Sequence, residues 1–203
     1  MPSPSDADAF ARCLAAGGVA VFPADTVYGL ACDPESPEAV ARLYALKGRP
    51  RSQASAVMFF DAAPALGSLP ELGGRTRALL ERLLPGGVTV LLPNPRARFP
   101  LACGEDPGTL GLRVPAGSVL AGVTAPVLQS SANLRGGPDA RRVADVPAAI
   151  REGADLVVDA GELPGTPSTV IDLRRFEAAG EWEVLRPGAV EREVVERAVR
   201  RVL

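Results

Sequence analysis

The chain has 203 residues, of which 47% are hydrophobic and 4% aromatic, and its formal net charge is −2. This length and composition predict a single domain over residues 1–203 with an aliphatic core, and the near-neutral charge gives no global sign of nucleic-acid binding. The sequence contains no histidine, which excludes Ser-His-Asp and Cys-His catalysis and imidazole metal ligands.

The N-terminal part of the chain predicts a helix, a buried strand, a polar turn and a second helix. The first helix is expected at residues 5–16 and the strand at 19–22, with the polar turn at 24–26. Residues 36–38 read Ser-Pro-Glu, which is a typical helix start because serine caps the first turn and proline fits its first position. This second helix is predicted to end at Lys47.

A small basic cluster of Lys47, Arg49 and Arg51 follows this second helix. Lys47 is the only lysine among the 22 basic residues of the chain. The compact ammonium of lysine suits a phosphate group, but cations near helix C-termini are also ordinary. The pattern alone leaves these two interpretations open.

The rest of the chain alternates short apolar segments with helices and with loops rich in glycine and proline. Further strands are predicted at residues 55–60, 88–92, 110–114, 126–129, 156–159, 168–173 and 181–185. Further helices are predicted at residues 75–84, 145–151 and 191–202. About seven short strands without strict βαβ alternation indicate an α/β domain with a mixed sheet.

Cysteine usage and hydropathy add two exclusions. Cys13, Cys32 and Cys103 are odd in number, far apart and form no CxxC pair, so neither a disulfide framework nor a zinc site is expected. No apolar run approaches the length of a membrane span, and the acidic N-terminal segment lacks the features of a signal peptide. We therefore expect a cytoplasmic protein without membrane contact.

Cations and hydroxyls at the ends of predicted elements are the candidates for ligand binding. The sequence has no glycine-rich phosphate loop, so a nucleotide would have to be held by side chains. These candidates are Lys47, Arg49, Arg113, Arg186, Thr26, Thr109, Ser131 and Ser168. Each alone could also belong to an ordinary turn or strand end. Arg113 lies inside an apolar strand, where it needs a partner or a water-filled cavity.

Seven segments taken together resemble the YrdC/Sua5 family of threonylcarbamoyl-AMP synthases. In family order they are PADTVYGLACD (23–33), KGRP (47–50), LPGGVTVLL (84–92), GTLGLRVP (108–115), SSANLRGG (130–137), PSTVID (167–172) and VLRPGAV (184–190). The resemblance implies a YrdC-like twisted mixed sheet of about seven strands, flanked by helices, around a concave basic cavity. The chain looks like the short form of the family, without the extra C-terminal domain.

The resemblance also implies a reaction in which L-threonine, bicarbonate and ATP give L-threonylcarbamoyladenylate and pyrophosphate. ATP is then a substrate, with Mg²⁺ beside it and no metal site made by the protein. The carboxylate of a threonine carbamate attacks the α-phosphate, so the protein must align reactants and offset charge, which suits a site without histidine. Downstream tRNA threonylcarbamoyl-transferase proteins are the implied partners, and a direct contact with tRNA or double-stranded RNA stays open.

Roles for individual residues follow from the same resemblance. Lys47 and Arg49 would contact the phosphates as catalytic residues. Further ATP contacts would come from Gln53, Thr109, Ser131, Asp139 and Arg186. Threonine contacts would come from Thr26, Met58, Arg113, Gln129 and Ser168, with Arg113 suited to a bidentate grip on the carboxylate. Because Lys47 is expected to be exposed in the cavity, Lys47→Ala should lose most of the turnover while the protein stays folded.

Three positions depart from the family pattern. Ala24 replaces a threonine, Gln129 stands where serine or threonine is common, and Met58 takes the place of a histidine that helps to hold threonine. Met58 cannot accept the hydrogen bond of an imidazole, so either threonine binds ~1–2 kcal/mol less tightly, or Met58 packs and Gln129 supplies the polar group. Two other functions stay open: an enzyme with an altered amine or carbamoyl substrate, and a non-catalytic RNA-binding relative, which the few aromatic residues disfavour.

Overall fold

The computed structural model describes residues 4–117 and 120–203, which form one mixed sheet surrounded by helices. The strands are β1 (Ala20–Pro23), β2 (Tyr28–Cys32), β3 (Ala56–Met58), β4 (Val88–Pro93), β5 (Thr109–Arg113), β6 (Val127–Ser131), β7 (Leu156–Val157), β8 (Thr169–Asp172) and β9 (Glu183–Arg186). The α-helices are α1 (Pro4–Ala15), α2 (Pro37–Leu46), α3 (Ala62–Gly67), α4 (Gly74–Leu83), α5 (Ala148–Gly153), α6 (Phe176–Ala179) and α7 (Arg192–Val199). Short 3₁₀ turns occupy Pro100–Ala102 and Val143–Asp145.

The sheet runs in the order β7-β1-β2-β6-β3-β5-β4-β8-β9. The pairs β1–β7, β3–β5 and β4–β8 are parallel, and the remaining pairs are antiparallel. The mixed α/β fold is therefore confirmed, with nine strands among the described residues instead of about seven. The sequence interpretation missed β2, because all five of its residues are buried and it shows no alternation of polar and apolar positions.

Each face of the sheet packs against its own hydrophobic cluster. Successive side chains of β1 point to opposite faces of the sheet, so Val21 belongs to the larger cluster and Phe22 to the smaller one. The larger cluster includes residues of α2, α4 and α7. The smaller cluster lies beneath α1, where Phe10 packs against Phe22 with ring centroids 5.5 Å apart. The cavity described below opens on the same side of the sheet as this smaller cluster.

Helix α2 has the caps that its sequence predicts. The Ser36 hydroxyl accepts the backbone N–H of Ala39 at 3.2 Å, and Pro37 occupies the first turn. Lys47 is the C-terminal cap, and Gly48 follows with a φ of +59°, in the left-handed region that favours glycine. The end of α2 thereby brings Lys47 and Arg49 to the edge of the cavity. No described helix is both long and apolar enough to cross a membrane.

The turn between β1 and β2 and the start of β2 complete the cavity wall. Asp25 and Thr26 lie in this turn, and Tyr28 and Gly29 begin β2. A Cβ atom at Gly29 would lie 2.8 Å from the ring of Phe22, so only glycine lets the two strands pack here.

Candidate active site

A cavity of about 410 Å³ lies over the middle of the sheet, within the usual range for small-molecule sites. Its floor is made by small residues on neighbouring strands, among them Gly29, Ala56 and Gly111. Its polar wall is contributed by Tyr28, Arg49, Ser55, Thr89, Asp106, Thr109, Arg113, Gln129, Ser130, Ser131, Asp139, Ser168 and Arg186. Most of the predicted site residues therefore meet in one place, and Lys47, Gln53, Thr26 and Met58 lie outside the lining.

Lys47 is not the exposed lysine that the sequence interpretation expects, because only 3% of it is accessible to solvent. Its ammonium donates to the carbonyl oxygen of Ser131, to the carbonyl oxygen of Asn133 at 2.8 Å and to Asn133 Oδ1 at 3.0 Å. Burial, with a smaller effect of the nearby charge of Arg49, lowers the pKa of Lys47 to about 8, and Asp139 opposes the shift. The expected exposure of Lys47 is therefore wrong, and the prediction that Lys47→Ala stays folded loses the reason given for it.

Asn133 is a site residue that the sequence interpretation missed. Its Oδ1 accepts hydrogen bonds from Lys47 Nζ and, at 2.6 Å, from Ser131 Oγ, while its Nδ2 donates to the carbonyl oxygen of Gly137. The backbone N–H of Arg135 donates to the carbonyl oxygen of Lys47 at 3.1 Å. Lys47 and Asn133 together fix the loop 132–137, which starts at the end of β6.

Arg49 is half-buried and lines the cavity. Its Nε donates to Gln53 Oε1 at 3.1 Å and its Nη1 to Ser130 Oγ at 3.1 Å, while Nη2 donates to the carbonyl oxygen of Ala54. The guanidinium also lies 5.6 Å from the ring centroid of Tyr44, and burial lowers its pKa. Gln53 thus supports Arg49 from behind and is not part of the cavity lining.

Arg113 stands at the end of β5 and is 4% exposed. Its Nη2 donates to Asp25 Oδ1 at 2.5 Å and to Thr26 Oγ1 at 2.6 Å. Its Nε is buried and finds no hydrogen-bond acceptor among the described residues. An unpaired N–H in such a place is unusual, because buried polar groups are normally hydrogen-bonded. Thr26 therefore reaches the site through Arg113, and Asp25 is a further residue that the sequence interpretation did not assign.

Ser168 and Arg186 form the far side of the cavity. The Ser168 hydroxyl lies 2.8 Å from Thr89 Oγ1, and Arg186 Nη2 donates to the Ser168 carbonyl oxygen at 2.8 Å. Thr89 is 8% exposed and pairs in register with Arg113 on the adjacent strand. Thr89 was not predicted as a site residue, and only the strand register brings it between Arg113 and Ser168.

Thr109 and Asp139 line the mouth of the cavity. Thr109 Oγ1 donates to Asp106 Oδ2 at 2.6 Å and lies 3.4 Å from Arg174 Nη1. Across residues 4–117 and 120–203, no cluster of three or more His, Cys, Asp or Glu side chains could hold a metal ion. The carboxylates of Asp106 and Asp139 do not form a protein metal site by themselves.

Met58 and Gln129 have different surroundings, although both were predicted to contact threonine. Met58 is fully buried and belongs to the smaller hydrophobic cluster, because its register opposite Val127 places it beneath α1. Gln129 lies opposite Ala56 and lines the cavity floor. The structure therefore favours packing for Met58 and does not support a contact between Met58 and a ligand.

Comparison with known proteins identifies relatives along most of the chain. The family model Sua5_yciO_yrdC, described as "Telomere recombination", matches residues 12–188. A threonylcarbamoyl-AMP synthase of Xanthomonas campestris pv. campestris (strain B100) is 34% identical over 182 residues, which cover 86% of this chain and 96% of that protein. A protein of the same name from Chromohalobacter salexigens is 38% identical over 179 residues, with coverages of 84% and 96%.

Solved structures give the same comparison at the level of the fold. The crystal structure of Pyrococcus abyssi Sua5 complexed with L-threonine has a TM-score of 0.84 and 26% identity, and covers 97% of this chain. The present chain spans 58% of that Sua5 chain. The crystal structure of E. coli YciO has a TM-score of 0.82 and 23% identity, and covers 96% of this chain and 95% of the YciO chain. At that identity the likeness to YciO concerns the fold alone.

Proposed function

The chain belongs to the Sua5/YciO/YrdC family, and from this we propose that it is a threonylcarbamoyl-AMP synthase. It forms L-threonylcarbamoyladenylate and pyrophosphate from L-threonine, bicarbonate and ATP, and is thus a nucleotidyltransferase. Relatives with this name match the chain over 96% of their own length. We further propose that the product passes, in the cytoplasm, to proteins that modify the adenosine at position 37 of tRNA.

The observation that carries this proposal is the guanidinium of Arg113, which is 4% exposed, paired with Asp25 and Thr26, and part of the cavity lining. A carboxylate bound in the cavity can accept from the part of this guanidinium that faces it. The carboxylate of an amino acid fits such a planar donor. Ser168 and Thr89 supply hydroxyls at the same end of the cavity, and Thr26 contributes through Arg113. We assign this end to threonine.

The opposite end of the cavity carries the cations that a nucleotide requires. Arg49 and the hydroxyl of Ser131 line it, together with Thr109 and Asp139. Arg186 lies beside Ser168, level with Arg113 in the strand register, and would contact the nucleotide from that side. Guanidinium groups bind phosphate oxygens in bidentate fashion and offset their charge. Lys47 adds its positive charge from within the wall and holds the loop 132–137, and Gln53 orients Arg49. We assign this end to ATP.

The reaction then needs no covalent intermediate on the protein. The amine of threonine and bicarbonate form a carbamate and water, and the carbamate carboxylate attacks the α-phosphorus of ATP, so that the bond to pyrophosphate breaks. The chain contributes alignment by Arg113 and charge compensation by Arg49 and Arg186. Mg²⁺ would be held chiefly by the phosphates of ATP, because the described residues offer no cluster of metal ligands.

The test is pyrophosphate release from the purified protein with ATP, L-threonine and bicarbonate, each omitted in turn. We expect release only when all three are present, and a loss of at least ~10-fold in Arg113→Met, which removes a charged hydrogen-bond donor. Glu196→Gln on the exposed surface of α7 is the matched control and should behave as wild type. Release that does not depend on threonine would contradict the proposal.

A second candidate is an enzyme of the same class that takes a different amine. The observation in its favour is Gln129, whose amide lines the cavity floor while Met58 is confined to the hydrophobic cluster. A panel of amino acids in the pyrophosphate assay separates the two candidates. A higher kcat/KM for another amino acid than for threonine would establish the second.

A further inference from the structure

Arg113 is held from behind by a carboxylate that does not reach the cavity. Asp25 Oδ1 accepts from Arg113 Nη2 at 2.5 Å, and the side chains of the two residues are only 4% and 9% exposed. Asp25 lies in the turn between β1 and β2 and is absent from the cavity lining. The ion pair therefore forms part of the wall, and its guanidinium partner alone faces a ligand.

The carboxylate of Asp25 is itself fixed from a second direction. Its Oδ2 accepts the backbone N–H of Ala116 at 3.0 Å, just after β5. One oxygen therefore binds the side chain of Arg113 and the other binds the backbone that leaves the same strand. With Thr26 Oγ1 at 2.6 Å from the same nitrogen, two acceptors hold the Nη2 end of the guanidinium, and one of them is itself fixed by the backbone.

Such an anchor matters because an arginine side chain has many rotamers, and ordering it on ligand binding would weaken affinity. The Asp25–Arg113 pair is close to neutral, so a carboxylate is bound by directed N–H groups more than by net charge. A guanidinium fixed in advance presents the part that lines the cavity in one orientation. Specificity for a carboxylate then depends on the residue that sets this orientation.

We propose that Asp25 is a positioning residue that fixes Arg113 to bind the carboxylate of the amino-acid substrate. This inference rests on the proposed function, in which Arg113 binds that carboxylate. Asp25 does not touch the substrate and acts only on Arg113, so its replacement should weaken binding of the amino acid and leave binding of the nucleotide unchanged. That separation distinguishes a positioning role from a general loss of structure.

The experiment measures binding of L-threonine and, separately, of ATP by titration calorimetry. Asp25→Asn keeps the size of the side chain but removes the charge, and we expect it to raise the Kd for threonine ~10-fold, the effect of losing one charged hydrogen bond. The Kd for ATP should stay within about twofold of the wild-type value, a change much smaller than the loss of one charged hydrogen bond would cause. Glu196→Gln, the same change at an exposed ion pair of α7, should alter neither.

A second ligand tests whether the effect passes through the carboxylate. L-threoninamide has a neutral amide in its place, so the preference of the protein for threonine over threoninamide should fall at least ~5-fold in Asp25→Asn. Equal loss for both ligands would overturn the proposal, as would unchanged threonine binding. No binding of threonine by the wild-type protein would instead overturn the proposed function.

Breaking a buried ion pair costs about 3–5 kcal/mol, so a second comparison is included that does not depend on the folding of Asp25→Asn. Arg113→Met leaves the Asp25 carboxylate with the Ala116 N–H but without its guanidinium partner, whereas the double variant Asp25→Asn/Arg113→Met leaves no buried charge at this position. Both are compared in the same titrations. If Asp25 acts only through Arg113, the two should bind threonine within about twofold of each other, because effects on a shared partner are not additive. Weaker binding by the double variant would show direct contact of Asp25 with the substrate and would overturn the proposal.

Discussion

Lys47→Ala is expected to destabilise the protein as well as to inactivate it. The substitution removes the donor of three hydrogen bonds, so the carbonyl oxygens of Ser131 and Asn133 lose this partner, whereas Asn133 Oδ1 keeps its hydrogen bond from the Ser131 hydroxyl. Unsatisfied buried groups cost about 1–3 kcal/mol each, although water entering the vacated space reduces this. The lost contacts of three methylene groups add about 2 kcal/mol.

One effect acts in the opposite direction. The pKa of Lys47 falls from 10.5 to about 8, so burying its charge costs the folded state about 3 kcal/mol, which the alanine variant recovers. The balance is a loss of ~2–4 kcal/mol of the free energy of unfolding, which for a chain of this size lowers Tm by about 4–16 °C.

Urea denaturation and thermal melting of Lys47→Ala would measure this loss. Arg51→Ala is the control, because Arg51 is an exposed cation two turns of the same segment away and donates only to the carbonyl oxygen of Pro37. It should change stability by less than about 0.5 kcal/mol. If the free energy of unfolding of Lys47→Ala lies within about 0.5 kcal/mol of the wild-type value, the change is no larger than that of an ordinary surface substitution. Such a result would refute the structural role of the ammonium.

Three further predictions follow from the geometry. The pKa of Lys47 is about 8 in the folded protein and near 10.5 in the unfolded chain, so between these pH values the unfolded state binds more protons. The free energy of unfolding of the wild-type protein, measured in urea relative to Lys47→Met, should therefore rise as the pH increases from about 8 to 10.5. A difference that does not change with pH would contradict this prediction. Gly29→Ala should lower the free energy of unfolding by ~1–3 kcal/mol, since its Cβ would lie 2.8 Å from Phe22. Gly111→Ala should lower it less, because its Cβ would lie 3.3 Å from the nearest atom. The reverse order in chemical denaturation would be inconsistent with the packing. Ser36→Ala should lower the free energy of unfolding by about 1 kcal/mol, because the hydroxyl that caps α2 is lost. Ser36→Asp keeps a capping oxygen and should have close to wild-type stability in thermal melts.

The fold could be predicted from the sequence wherever local signals agree with the tertiary structure. The caps of α2 are an example, because serine, proline and glycine act within a few residues of one another. Strand β2 could not be predicted in this way, since a strand buried on both faces has no polar alternation and Gly29 weakens its propensity. The requirement for glycine at position 29 comes from its contact with Phe22 on the adjacent strand, which is a tertiary contact.

The candidate site was predicted better in its composition than in its geometry. Residues such as Arg49 and Ser168 were identified because they occur in a recognisable family pattern. The burial of Lys47 was not foreseen, since exposure depends on the carbonyl groups that converge on it from another part of the chain. Asp25 and Thr89 were missed because their importance comes only from pairing with Arg113 across the sheet.

The order of strands in the sheet also has a consequence for synthesis on the ribosome. Strand β2 pairs with β6, so that Leu30 meets Ser130, and β3 lies between β5 and β6, both of which are translated after it. At ~5–20 residues per second, β2 waits roughly 5–20 s with one hydrogen-bonding edge open. Open edges of buried strands pair readily with other chains. The nascent protein is therefore expected to depend on a chaperone until β6 has emerged.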